Sequence, residues 1–534
     1  MSTETYTRAR AWTRKVLAVG LLLAAMMPLA ASPAQATTTY TVNTTGDRLD
    51  AQPGDGFCIT GQAQECTLRA AIQEANETPG EDTIDFDIFG TGVKTISINS
   101  SFNGGLPEIT APVTIDGYTQ TGASPNTASR GTNAKLRVVV DGAALSPATN
   151  GLDVGTSNST IRGLVISRAF SFGLNINGSG NRVAGNFIGT NASGNLDRGN
   201  GVSGINISSG SGNTIGGPTR ADRNLISGNG KDGVSVGAPT NRVEGNLIGT
   251  DRDGLGRLGN DGSGVLVAND VSPVTILDNS IFSNGGLGVD LSPDFEGDGR
   301  TANDPGDADT GANNLQNFPV ITSAKAGATS TTIKGRLNSE VNTPYIVQFF
   351  SNPSGTNEGQ QPIGQKIVNT DLSGNVSFTF KPNKPVVPGQ NITATATRNV
   401  FNIPSSTSEF STPRTVTDAT APTVKSVSPA PNATGVSPSA NASATFSEAM
   451  NPSTINTSTV TLKRSGATTK VGATIGYDAA NKRAVLNPTT NLKLGATYVA
   501  TVTTGAKDLA GNALDQSPSV AGSQAKSWKF TVRK

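Results

Sequence analysis

Apolar residues in the middle of the chain recur in one short phrase, glycine–apolar–x–apolar. It reads Gly151-Leu-Asp-Val154, Gly173-Leu-Asn-Ile176, Gly204-Ile-Asn-Ile207, Gly233-Val-Ser-Val236, Gly264-Val-Leu-Val267 and Gly288-Val-Asp-Leu291. The intervals are 22, 31, 29, 31 and 24 residues, the length of one unit of a solenoid. A second phrase lies between the copies. Asn181-Arg-Val-Ala-Gly-Asn-Phe-Ile-Gly-Thr190 returns as Asn241-Arg-Val-Glu-Gly-Asn-Leu-Ile-Gly-Thr250, eight of ten identical at an offset of 60. Each phrase is too short for a helix and alternates with period two, so each is a strand. Gly, Asn and Asp fill the joints, where a positive φ is expected. Several short strands per turn, wound repeatedly, predict a parallel β-helix.

The same pattern extends outward in both directions. Thr39-Tyr-Thr-Val42, Thr83-Ile-Asp-Phe86, Lys94-Thr-Ile-Ser-Ile98, Val113-Thr-Ile115 and Leu136-Arg-Val-Val-Val140 supply a first strand and the first coils. Between them, Cys66 to Asn76 reads as an amphipathic helix with Leu68, Ala71, Ile72 and Ala75 on one face. Thr67 is placed to cap its start, and Pro79-Gly80 ends it. Such a helix can cover the open end of a solenoid. After Leu291 an acidic, glycine-rich stretch follows, and then the strand pattern changes. Thr332–Leu337, Tyr345–Phe350, Val376–Phe380 and Ile392–Ala396, spaced by turn residues, predict a β-sandwich. Ala444–Met450, Leu486–Pro488, Tyr498–Val502 and a closing strand around Trp528 predict a second one. The expected fold is all-β, a right-handed parallel β-helix followed by two Ig-like β-sandwiches. The boundaries read 1–36 targeting segment, 37–80 cap, 81–317 solenoid, 318–415 sandwich, 416–422 linker and 423–534 second sandwich.

The targeting segment is a signal peptide on its own pattern. Arg8, Arg10, Arg14 and Lys15 precede an apolar run from Val16 to Ala25, and Ala34-Gln-Ala36 offers a cleavage site. The run is too short for a membrane anchor. The segment carries four basic groups and Glu4, hence +3, so the remaining chain has +1 − 3 = −2. A near-neutral surface gives no electrostatic case for nucleic acid, and no transmembrane anchor is expected. The reading is therefore a secreted or extracellular protein associated with the cell surface. Cys58 and Cys66 suit a disulfide closing a small loop in an exported chain.

Cys66-Thr-Leu-Arg-Ala-Ala followed by Ile72-Gln-Glu-Ala-Asn76 resembles the CSLREA-type N-terminal domain of exported bacterial β-helix proteins. The match departs at Thr67 and Ala70, where that family has Ser and Glu. Thr114-Ile-Asp-Gly-Tyr-Thr119, Thr160-Ile-Arg-Gly-Leu-Val-Ile166 and the Ile-Gly-Thr repeats are similar to right-handed β-helix repeats of the pectin-lyase-like group. Asp508-Leu-Ala-Gly-Asn512 and the strands around it resemble a bacterial Ig-like module. The first two resemblances imply a fold that hosts lyases, hydrolases and adhesins alike, so they leave the activity open.

Candidate chemistry is sparse. In each repeated phrase the middle residue points outward, giving a ligand-facing ladder of Asp153, Asn175, Asn206, Ser235 and Asp290, with Leu266 between the last two. Its two carboxylates are five coils, about 24 Å, apart, whereas glycoside hydrolysis needs a pair about 5–9.5 Å apart. The absence of His removes Ser-His-Asp and Cys-His mechanisms. Asp116 and Asp141 each begin an Asp-Gly joint, read either as a tight turn or as a carboxylate pair on another face. No catalytic residue is assigned. Phe170 and Phe172 are the closely spaced aromatics of the repeats. Asp294, Glu296, Asp298, Asp304, Asp307 and Asp309 form an acidic connector, read either as a calcium site or as a solvated linker. Together these features favour an adhesin- or matrix-like binding protein, with extracellular polysaccharide or the cell envelope as partner. The alternative is a secreted polysaccharide lyase or glycoside hydrolase.

Overall fold

The structure, a computed structural model, describes residues 37–534 apart from 62–63, 103, 269 and 294–298. The signal-peptide expectation, together with Asp294, Glu296 and Asp298, lies outside the described residues. Three wholly parallel sheets of eight, seven and six strands form the solenoid. From residue 152 onward each coil gives one strand to each sheet in turn, for example Leu152–Val154, Thr160–Arg162 and Leu164–Ser167. The repeated phrases stand in register one coil apart, Asp153 opposite Asn175, Asn175 opposite Asn206, and Asn206 opposite Ser235. The apolar residues form stacked inward rows, such as Ile161, Val183, Ile215, Val243 and Ile276 on one sheet and Ile166, Ile188, Ile226, Ile248 and Ile281 on another. Each buried side chain contributes about 1.5–3 kcal/mol of transfer free energy.

Glycine, asparagine and aspartate do supply positive φ at the joints, as at Asn158, Gly163, Gly185 and Asp278, but the glycines that open the repeated phrase have a different role. None of the phrase-opening glycines takes a positive φ. They are there because successive coils touch. A Cβ on Gly173 would stand 2.7 Å from the carbonyl oxygen of Gly204, and one on Gly233 2.6 Å from that of Gly264. Positive φ is needed instead at the second phrase, at Gly189 (φ 88°) and Gly249 (φ 81°). Buried asparagines line the corners in ladders. The amide N–H of Asn186 donates to Oδ1 of Asn224, that of Asn224 to Asn246 and that of Asn246 to Asn279. A second ladder runs Asn200, Asn229, Asn260, Asn284 through side-chain bonds of 2.8–2.9 Å. Each amide satisfies backbone that the turn leaves unpaired.

Both ends of the solenoid are covered. At the N-terminal end the helix Leu68–Glu77 buries Leu68, Ala71, Ile72 and Ala75 in the solenoid core. Thr67 caps it by accepting from the Ala70 amide, and Cys58 and Cys66 form a disulfide nearby. At the C-terminal end the cap is the first sandwich. Its five-stranded sheet contains Pro344–Asn352 and Asn391–Val400, which are buried along almost their whole length on both faces. One face closes the sandwich core and the other docks on the last coil. Phe350 and Phe410 belong to the solenoid's core, and Gly359 bridges to Ile281. Glu358 accepts from the amides of Ser283 and Asn284, ending the second asparagine ladder. Glu409 accepts from Leu291 and Thr301 at 3.3 and 2.9 Å, and burial pushes its pKa up to about 8.

The expected linker at 416–422 begins inside this sandwich. Val416 is buried and Thr417–Asp418 pairs with the strand Val320–Ala326. The C-terminal sandwich packs a four-stranded against a three-stranded sheet around Phe446, Leu462, Leu486, Val502, Trp528 and Phe530. No helix among the described residues is long and apolar enough to cross a membrane.

Candidate functional site

The outer face of the third sheet carries the predicted ladder. Asp153 and Asn175 are partly exposed, whereas Asn206 is 8% and Ser235 3% exposed. The polar groups bind one another: the Asn175 amide donates to Asp153 at 3.0 Å and the Asn206 amide to Asn175 at 2.9 Å. Asn206 and Ser235 are covered because they form the floor of a groove of about 430 Å³, walled by Phe172 and Val202 and by Lys231 and Asp232. Burial raises the pKa of Asp232, opposed by hydrogen bonds from the Ser263 amide and the Ser203 hydroxyl. At the far end of the ladder Leu266 and Asp290 are buried. Asp290 accepts from the Ser263 hydroxyl and lies beside Glu409, under the sandwich cap, so the open stretch of the ladder ends before it. Of the two neighbouring aromatics, Phe172 faces the groove and Phe170 is half-exposed outside it.

Asp116 and Asp141 do not form a pair. They lie on different sheets, and each is bound by an arginine of the following coil, Asp116 by Arg162 and Asp141 by Nε and Nη2 of Arg168. Their glycines are required by close approach, since a Cβ on Gly117 would meet the Gly163 carbonyl at 2.3 Å. The carboxylate that does neighbour Asp116 is Asp85, its register partner one coil away. Burial raises the Asp85 pKa first and Asp116 adds to it, while Arg162 opposes. Sequence spacing did not reveal this pair, because an offset of 31 residues hides a one-coil separation.

In the acidic connector, Asp304, Asp307 and Asp309 bring one carboxylate oxygen each within 4.8 Å of the others. Asp307 accepts from Gln316 Nε2, the Asn317 amide and the Ser339 hydroxyl, and burial pushes its pKa up to about 6. Oδ1 of Asp304 and Oδ1 of Asp309 are buried without a hydrogen-bond donor among the described residues. A second acidic trio, Asp418, Glu448 and Asp508, meets where the two sandwiches join, and burial with the two aspartates pushes Glu448 up to about 7. Its members are spread over 91 residues, so no local motif announces it.

No curated protein matches the chain. Among solved structures, the N-terminal part of the bacterial S-layer protein SbsC is 21% identical over 21% of this chain and 24% of its own, with a TM-score of 0.17. The chicken CNTN1 FN1–FN3 domains are 16% identical over 41% of this chain and 66% of their own, also at 0.17. The chain thus spans about a quarter of that S-layer fragment, and likeness at this score carries no functional argument. Residues 418–532 match the family of bacterial Ig-like domains, and the C-terminal sandwich of this chain is such a domain.

Proposed function

We propose that the protein is a secreted or cell-surface binding and structural protein that offers the groove on its third sheet to an extracellular polysaccharide. The observation that carries this reading is the groove itself, whose lining brings Asn206 and Ser235 together with the aromatic residue Phe172. Sugars are held by such a combination, hydrogen bonds to hydroxyls and an aromatic face against the apolar side of the ring. The Ig-like domain and the resemblance to exported CSLREA-type and pectin-lyase-like proteins support the extracellular setting. Replacing Phe172 with Ala is expected to weaken binding to a responsive glycan at least tenfold, about 1.4 kcal/mol, in a glycan array followed by calorimetry. Unchanged affinity would remove the groove from the account. The lyase or hydrolase reading rests on Asp85 beside Asp116. New reducing ends or unsaturated products that vanish in Asp85→Asn would replace binding with catalysis.

The connector adds a calcium proposal. Two buried carboxylate oxygens without donors among the described residues are the environment a hard cation fits, and a glycine-rich segment supplies the flexibility. Asp304, Asp307 and Asp309 would hold Ca²⁺ and stiffen the joint between solenoid and sandwich. In chelator, a raised Asp307 pKa means that folding favours the protonated acid. Its stabilising contribution is full below about pH 3.8 and is lost as pH rises through about 6. Calcium should reverse that trend above pH 6, raising stability by about 2.7 kcal/mol at a hundredfold excess over Kd. Scanning calorimetry with calcium and with chelator at pH 5 and 7.5 tests this, and superimposable melts at pH 7.5 would leave the segment a plain linker.

A further inference from the structure

The solenoid and the first sandwich enclose a second cavity, of about 260 Å³, on the outer face of the seven-stranded sheet. A long excursion of the chain, running between the strands Val113–Asp116 and Val138–Asp141, lies over this sheet. It covers the outward apolar row Val165, Phe187, Leu225 and Leu247 with Ala134 and Leu136. The excursion ends short of the sandwich, and the space left open is lined by Arg130, Arg223, Leu247, Leu255, Asp278 and Pro362.

Arg223 is the unusual member. Its guanidinium donates to four carbonyl oxygens, those of Gly245, Ala128, Ser129 and Gly131, the last at 2.7 Å. Among the described residues no carboxylate lies within ion-pair distance of it, unlike Arg69, Arg162, Arg168, Arg182, Arg242 and Arg398, each of which has one. Burial and then the charge of Arg220 lower its pKa. Neutral carbonyls satisfy N–H groups but leave the charge uncompensated, and an uncompensated guanidinium withdrawn from water is costly. The one acid in the lining, Asp278, is committed elsewhere, with Oδ1 accepting from Gln348 Nε2 at 2.6 Å. Burial raises its pKa, and the Gln348 bond opposes the rise.

We infer that this interdomain cavity is a binding site for an oxyanion, a carboxylate or a sulfate ester carried on a hydroxylated ligand. Arg223 supplies a half-buried positive charge, Arg130 a second one at the exposed rim, and Leu247, Leu255 and Pro362 an apolar lining. With Nε and Nη1 given to carbonyls, Arg223 offers its charge and Nη2, and Arg130 offers a planar fork that suits either oxyanion. The site is separate from the third-sheet groove and does not depend on it.

The test uses the whole mature protein and three probes in calorimetric titrations: sodium glucuronate, glucose and sodium sulfate. Glucuronate or sulfate is expected to bind and glucose not to. Stronger binding of glucuronate assigns a carboxylated ligand, and stronger binding of sulfate a sulfated one. Arg223→Gln should reduce anion affinity at least tenfold. Because that change also removes bonds to the excursion, Leu255→Glu is made in parallel. Leu255 is 48% exposed, so the substitution leaves the fold intact while placing a negative charge at the cavity mouth, and a comparable loss is expected. Failure of both anions to bind, glucose binding as well as glucuronate, or anion affinity unaltered in both variants would each overturn the assignment.

Discussion

Ile248→Asp is expected to unfold the coils around it while the rest of the molecule stays folded. Ile248 is fully buried, stacked between Ile226 and Ile281 in the inward row of its sheet. Its Cγ2 lies only 2.6 Å from where a Cβ on Gly233 would stand, so the coil has no room to turn the side chain aside. A carboxylate there has no donor inside an apolar row. The expected cost is about 4–5 kcal/mol, the range of buried unpaired charge. In a solenoid each coil contacts only its neighbours, so the damage should spread one or two coils and stop. Hydrogen exchange should rise sharply in Leu225–Ile226, Leu247–Ile248 and Ser280–Ile281, with new protease cleavage between them. The melting of the Ig-like domain should not move. Ile248→Val serves as the control, at about 0.5–1.5 kcal/mol. Unaltered exchange in those three strands would show that the row is not under the packing constraint described.

Phe410→Ala should release the C-terminal cap. The ring sits edge-on to Phe350 at 5.2 Å between centroids and fills the space above Gly288 and Gly359, where any Cβ would strike it within 2.7 Å. It is 4% exposed and counts among the solenoid's own core residues, although it belongs to the sandwich. Truncation should cost about 3–5 kcal/mol, concentrated at the joint because the pocket around the ring is shared by two modules. The last strand, Val289–Ser292, would then lose its cover and present a free edge. Faster exchange in Val289–Ser292, early separation of one calorimetric transition into two, and concentration-dependent association are the expected results. A single unshifted transition with normal exchange at that strand would show that the sandwich does not hold the coil closed.

Much of the architecture was legible because it is periodic. A strand buried on one face writes its register into the sequence as alternation, and a coil stacked on its like repeats that alternation. The rows through Ile166, Ile188 and Ile226, the helix at Leu68–Glu77 with its Thr67 cap, and the strands of the Ig-like domain all follow from local pattern. The first sandwich shows where the pattern stops helping. Tyr345-Ile-Val-Gln-Phe-Phe350 reads as an apolar run broken only at Gln348, and that run was the available sign that its sheet is buried on both faces. The identity of the second face could not be read, because docking joins Gln348 to Asp278 and Phe350 to the solenoid core across gaps of 70 residues and more.

The candidate sites divide in the same way. That Asp153, Asn175, Asn206 and Ser235 form one ladder is a consequence of period alone, and the strands place them so. That Asn206 and Ser235 become a groove floor while Asp290 vanishes beneath a cap depends on corner loops and on a neighbouring module, neither of which is periodic. The pairing of Asp116 with Arg162, the nearness of Asp85, and the lack of any ion-paired carboxylate for Arg223 among the described residues are likewise tertiary facts. Charge pairing is decided by which coils and loops come within a few ångströms, and coil lengths from 22 to 31 residues scramble that distance along the chain. Sequence by itself determined the strands, their inward rows and the kind of domain that ends the chain. Tertiary structure decided which polar groups meet, since hydrophobic order repeats coil by coil whereas electrostatic contacts form once, at places set by the loops.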